Sequence, residues 1–168
     1  MIARLLSHRI ALRVAVVALA LAALAAGLLA HHTVARRAAP ALPSRALSGR
    51  AVTIAELRGH PAALVFWASW CTDCRVEANA VAHFANSSAG RGRIVGVDYD
   101  DGGAWREFLR AHHWTFPILD DSSGAVGAAF GINNIPATII LDSGGRIAAV
   151  RYGPQTVRTL ETDLATTG

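Results

Sequence analysis

Polar and apolar positions divide this chain into blocks that each predict an element. Val14 to Ala30 run without a polar side chain behind a leader carrying Arg4, Arg9 and Arg13. Such a segment is a membrane-targeting helix, either an uncleaved anchor or a cleavable signal, and its length favours the anchor. Residues 33–50 mix Ala, Pro, Arg and Ser with no sustained period and read as a tether, the fold beginning near Leu42 to Leu47. Gly49 to Ile54 is expected to form a turn and a short strand. Gly59-His60-Pro61 then punctuates before Ala62 to Ala68, an apolar run that predicts a buried strand. Val76, Ala80, Val81 and Phe84 fall at helical spacing, predicting a helix from Asp73 to about Phe84 that stops near Asn86-Ser87-Ser88.

The second half repeats the alternation. Ile94 to Asp98 predicts another buried strand, and Ala104 to His112 a helix with Trp105, Phe108 and Leu109 on one face. A short strand at Phe116 to Leu119 and a helical turn at Ala125 to Phe130 follow. Ala137 to Leu141 and Arg146 to Arg151 then pair as a hairpin across Asp142-Ser143-Gly144-Gly145, and Thr156 to Ala165 closes as a helix. Two strands in a βαβ relation plus a terminal hairpin predict the α/β class, a mixed central sheet flanked by helices. At 168 residues there is room for one such domain. The expected organisation is a membrane anchor or signal segment over 1–32, a linker over 33–43 and the folded domain over 44–168.

Charge excludes one class of function. The net charge is +4, but the first fifty residues hold seven arginines and no acid, so the remainder carries nine basic against twelve acidic residues. A domain of negative net charge with its positive residues in a tail offers no groove for nucleic acid. With basic residues leading the apolar run, the N-terminus is expected inside the cell and the domain outside it. The absence of a cysteine after that run excludes lipid attachment there.

The candidate chemistry is the pair Cys71 and Cys74, the only cysteines in the chain. Zinc would need two further ligands, and none of the seven histidines shows finger spacing, so no metal and no cofactor is expected. An inert core role is disfavoured because Cys71 follows the strand at the head of a helix. The unpaired N–H groups there favour a thiolate, making Cys71 the expected attacking sulfur and Cys74, one turn on, the resolving one.

Phe66-Trp67-Ala68-Ser69-Trp70-Cys71-Thr72-Asp73-Cys74-Arg75-Val76-Glu77, with Gly59-His60-Pro61 before it and Gly131 to Asp142 after it, resembles the TlpA/ResA/DsbE group of thioredoxin-like thiol-disulfide oxidoreductases. The resemblance covers roughly Leu42 to Leu164. It implies a thioredoxin fold tethered outside the cytoplasm that acts on protein disulfides or dithiols. In many members the substrate is apocytochrome c during haem attachment, and a reductase there needs a transmembrane electron donor. By the same resemblance Pro136 matches the cis-proline beside the cysteines, and the Ile135 backbone is the group that pairs with substrate. Glu77 matches an acidic residue of the group, either a proton relay for Cys74 or an exposed helix glutamate. The buried aspartate of general thioredoxins is absent, Val65 standing in its place.

Thr72 and Asp73 depart from the proline-containing dipeptide common between such cysteines. Asp73 either opposes a thiolate at Cys71, which predicts a more reducing couple, or caps the helix. Asn79 stands where the group has a proline, so the usual helix kink is not expected. Trp70 is assigned to a substrate surface and Trp67 to the core, while His112-His113 read as a helix end. Protein-disulfide reduction is the favoured function. Its rivals are a disulfide-forming oxidase, a copper- or zinc-binding thiol chaperone and, least supported, a thiol peroxidase.

Overall fold

The computed structural model describes residues 17–18, 36–99 and 101–167. Among these, no helix is long and apolar enough to cross a membrane. The apolar run expected to anchor the chain lies outside the described residues except for Val17 and Ala18.

Seven strands make one sheet in the order β1-β7-β6-β3-β4-β5-β2. They are β1 (Arg37–Ala38), β2 (Ala46–Ser48), β3 (Ala62–Trp67), β4 (Ile94–Tyr99), β5 (Ile118–Asp121), β6 (Ala137–Leu141) and β7 (Arg146–Tyr152), interleaved with α1 (Thr72–Asn86), α2 (Trp105–Ala111), α3 (Ala125–Phe130) and α4 (Val157–Thr166). The βαβ crossovers make β3, β4 and β5 parallel, whereas β6 runs antiparallel to β3 and to β7. This is the expected mixed sheet with a terminal hairpin.

β3 lies at the centre, and all six of its residues are buried. Because successive side chains point to opposite faces, one strand feeds two cores. Ala63, Val65 and Trp67 join the layer beneath α1, α2 and α4, with Val81, Phe84, Phe108 and Leu160. Ala62, Leu64 and Phe66 join the layer beneath α3, with Val97, Leu119, Phe130 and Ile139. The first layer is anchored by Trp67, whose ring lies 4.3 Å from that of Phe108 and 4.9 Å from that of Trp114. The Trp114 indole N–H donates to the Ala78 carbonyl at 2.9 Å, tying the loop after α2 to α1.

Three expectations are corrected. The fold begins earlier than residue 44: Arg37–Ala38, assigned to the linker, pairs with β7, and Ala39 and Leu42 pack against the second layer. Val52 to Ile54 forms no strand. The strand is Ala46–Ser48, a sheet edge against β5, and residues 54–59 form turns instead. The helix at α1 is present, but Val76, expected on its apolar face, is 68% exposed. The inward face is Cys74, Glu77, Ala78, Val81 and Phe84, because the side-chain row leading down from Cys74 is the one aimed at the sheet.

Gly96 on β4 lets this layer close. A Cβ there would stand 2.6 Å from Ile118 Cδ1 and 3.2 Å from Trp67 Nε1. Gly96→Ala is therefore expected to destabilise the domain by about 1–3 kcal/mol, read as a lowered denaturant midpoint at unchanged slope.

Candidate active site

β3 ends at Trp67, a turn follows in which the Cys71 amide donates to the Ala68 carbonyl at 3.2 Å, and α1 starts at Thr72. Cys71 is the residue that caps α1: its sulfur accepts from the Cys74 amide at 3.1 Å. The cap alternative for Asp73 is thus not realised. Asp73 lies exposed in the first turn, its carboxylate near the positive end of the helix. Thr72 is likewise exposed.

Cys71 and Cys74 are joined by a disulfide with an S–S distance of 2.11 Å and Cα atoms 5.3 Å apart. Cys74 is fully buried and Cys71 is 5% exposed. The sequence reading placed Cys71 off any buried face. Instead the turn folds its sulfur against the apolar layer, where Trp67 and Ala68 also pack. Trp70 beside it is 56% exposed and forms the rim, and Val76 extends an apolar surface past the first turn.

Glu77 is one turn below Cys74 on the same helix row and is 1% exposed. The exposed-glutamate alternative is excluded. Its Oε2 accepts from the Gln155 amide at 2.8 Å, and its Oε1 has no partner among the described residues. Burial pushes the Glu77 carboxyl up to about 7, against the opposing pull of the Gln155 N–H. Nothing in the local pattern marked Gln155, which reaches this point only because the chain passes under α1 just before the Thr156 cap of α4.

The Ile135–Pro136 peptide is cis. Pro136 immediately precedes β6, whose Ala137 is in register with Phe66 near the end of β3, and Ile135 packs against the layer that holds both cysteines. The Ile135 amide donates to Asn134 Oδ1 at 3.0 Å. Val65 is buried two residues before Trp67. Asn79 leaves α1 unbroken and meets His112 Nδ1 through its Oδ1 at 3.2 Å.

The turn is also fastened from outside. Ser69 donates its amide and hydroxyl to Asp101 at 2.7 and 2.8 Å, and its carbonyl accepts from Arg75 at 2.6 Å. The sequence did not mark these partners, because Asp101 lies 32 positions from Ser69 and only the fold brings the two together.

A three-layer α/β sheet with a dithiol at the cap of the helix after its central strand, and a cis-proline before the adjoining strand, defines a thioredoxin-fold protein. The chain belongs to the AhpC/TSA family, whose model matches residues 35–150. It is 31% identical over 130 residues to the thioredoxin-like protein YneN of Bacillus subtilis, covering 75% of this chain and 76% of that one. It is 32% identical to the thiol:disulfide interchange protein DsbE of Pseudomonas aeruginosa, over 63% of this chain and 58% of the relative. The structure of StoA from Bacillus subtilis superposes with a TM-score of 0.62 at 27% identity, covering 74% of this chain and 98% of StoA. The protein is a thiol-disulfide oxidoreductase acting on protein thiols or disulfides.

Glu77 makes stability pH-dependent in a definite direction. Its folded value of about 7 lies above the ordinary 4.5. The stability it contributes is therefore full below about 4.5 and is lost as pH rises through about 7. The stability of oxidised wild type relative to Glu77→Gln is expected to fall across that window, by on the order of 3 kcal/mol, in denaturation curves at each pH.

Proposed function

We propose that this protein is a membrane-tethered, extracytoplasmic reductase of protein disulfides, with apocytochrome c as a representative substrate and a transmembrane protein as its electron donor. The observation that carries the reading is a dithiol capping α1 with a buried carboxyl one turn behind the second sulfur. Val14 to Ala30 supplies the apolar run of the 1–32 anchor or signal segment, and the tether that follows it ends where β1 begins.

In the reduced protein the Cys71 thiolate is favoured by the Cys74 amide that its sulfur faces and by the positive end of α1. It attacks one sulfur of a substrate disulfide. A Cys71–substrate bond forms, the substrate bond breaks, and the departing substrate sulfur takes a proton. Cys74 then gives its proton to the Glu77 carboxylate and attacks Cys71 Sγ, regenerating the Cys71–Cys74 disulfide and releasing the second substrate thiol. A carboxyl pushed up to about 7 suits that transfer, as its affinity for a proton approaches that of a thiol. Trp70 offers an apolar rim to the substrate. Ile135 lies in the bend that leads through Pro136 into β6, and its backbone carbonyl is the group offered to the substrate chain for pairing.

Direction rests on Asp73. A carboxylate two residues after the attacking sulfur opposes the thiolate, destabilises the reduced form and makes the couple more reducing. Removing the charge with Asp73→Asn is expected to raise the reduction potential by on the order of 30 mV, measured against glutathione. A wild-type value near about −270 mV fits the reductase, and one near about −120 mV fits the oxidase. Cys74→Ser, expressed in the full chain, is expected to stall as mixed disulfides at Cys71. Identification of the trapped proteins gives substrate and direction together, and a variant that traps nothing overturns the mechanism.

A further inference from the structure

Asp98 is the buried ionisable group that the exchange chemistry leaves unused. It lies on β4 in register with Trp67, is 1% exposed, and its Oδ1 has no partner among the described residues. A carboxylate so placed needs a cation or must stay protonated. Among the described residues no cation pairs with it. The charged groups at its corner are Asp101 in the loop after β4 and Asp120 on β5, and Arg45, ahead of β2, is engaged by Asp120 at 2.7 Å. From α2 only the uncharged Trp105 reaches this corner, while Arg75 of α1 and Glu107 and His112 of α2 line the far side of Ser69. Asp100 lies outside the described residues.

Burial, and then the charge of Asp101, push the Asp98 carboxyl up to about 8. That shift keeps it in the acid form at neutral pH, at the corner it shares with Asp101. Asp101 is the anion of the two. Burial acts to raise it, but the Ser69 amide and hydroxyl and the Gly103 amide together hold it below the usual carboxylate range. Its oxygens accept from Ser69 N and Oγ at 2.7 and 2.8 Å and from the Gly103 amide at 3.1 Å.

The geometry points to Asp98 and Asp101 as a carboxyl pair sharing one proton that positions the turn carrying Cys71: Asp98 donates to Asp101, Asp101 grips Ser69, and loss of the proton sets two like charges side by side and frees Ser69. The pair deepens the dithiol reading and rests on it, because Ser69 matters only through the sulfur two residues on. Both are positioning residues. The turn is held across the neutral range and loosens in alkali, so the reactivity of the dithiol carries a pH response that belongs to neither sulfur and not to Glu77.

The test uses the oxidised protein, in which the cysteines do not titrate, and a Glu77→Gln background that removes the other raised carboxyl. The Ser69 amide resonance is followed by NMR from about pH 5 to about pH 10. A step with its midpoint near 8 is expected. It should vanish in Asp98→Asn, whose side-chain amide still donates to Asp101 but does not titrate. A Ser69 resonance that moves only in the ordinary carboxylate range, or a step near 8 that survives Asp98→Asn, overturns the pair. Should a variant fail to fold, the Asp98 side-chain carbon in the unsubstituted protein decides: titration near 8 supports the proposal and titration near about 4 removes it. A Ser69 step in a protein whose Cys74→Ser form traps nothing would leave the pair standing and remove the dithiol reading alone.

Discussion

β3 is buried on both faces and hydrogen-bonded on both edges, parallel to β4 and antiparallel to β6, and the site follows from that constraint. A strand with no solvated side must be apolar at every position, so it carries no chemistry of its own and functional groups gather where it ends. The chain leaves it at Trp67, turns through Ala68 to Cys71 and enters α1 with the first sulfur as the cap. On its antiparallel side, the register of β6 brings Ala137 opposite Phe66, which sets Pro136 and Ile135 along the same end of the sheet. Trp67 fixes the end of β3 from below by filling the layer between Phe108 and Trp114.

That layer takes in two carboxyls with no cation beside either among the described residues. Glu77 lies under the second sulfur and Asp98 under the turn, each fully buried and each raised first of all by desolvation. Burying such groups costs stability, and a purely structural core would replace them with apolar residues. They occupy the two directions from which the dithiol can be influenced by a proton. Glu77 lies on the helix row of Cys74, while Asp98 acts on Ser69 through Asp101. The apolar exposure at Trp70 and Val76 lies on the opposite, solvent side of the same junction. The site is thus layered, with a hydrophobic rim outside, a disulfide at the surface of the core, and proton-holding groups beneath it.

The sequence by itself determined the order of elements from Ala62 onward, because the apolar runs of β3 and β4 and the helical spacing of α1 and α2 are local patterns that survive any packing. It also determined that the chemistry lies at Cys71 and Cys74, the only thiols, at a strand-to-helix junction. Only the tertiary structure decided which side of that junction each residue faces. Val76 counts as apolar and lies in solvent, whereas Glu77 counts as charged and lies in the core, since the inward row of α1 is set by the sheet beneath it. The edge strands β1 and β2 were illegible for a related reason. Arg37–Ala38 and Ala46–Ser48 have no pattern of their own and are strands because β7 and β5 offer them open hydrogen-bonding edges. Gln155 on Glu77, and Asp101 on Ser69, are long-range pairings brought about by topology. The pattern of a chain specifies what each segment can form, and the folded sheet alone specifies which buried charges meet.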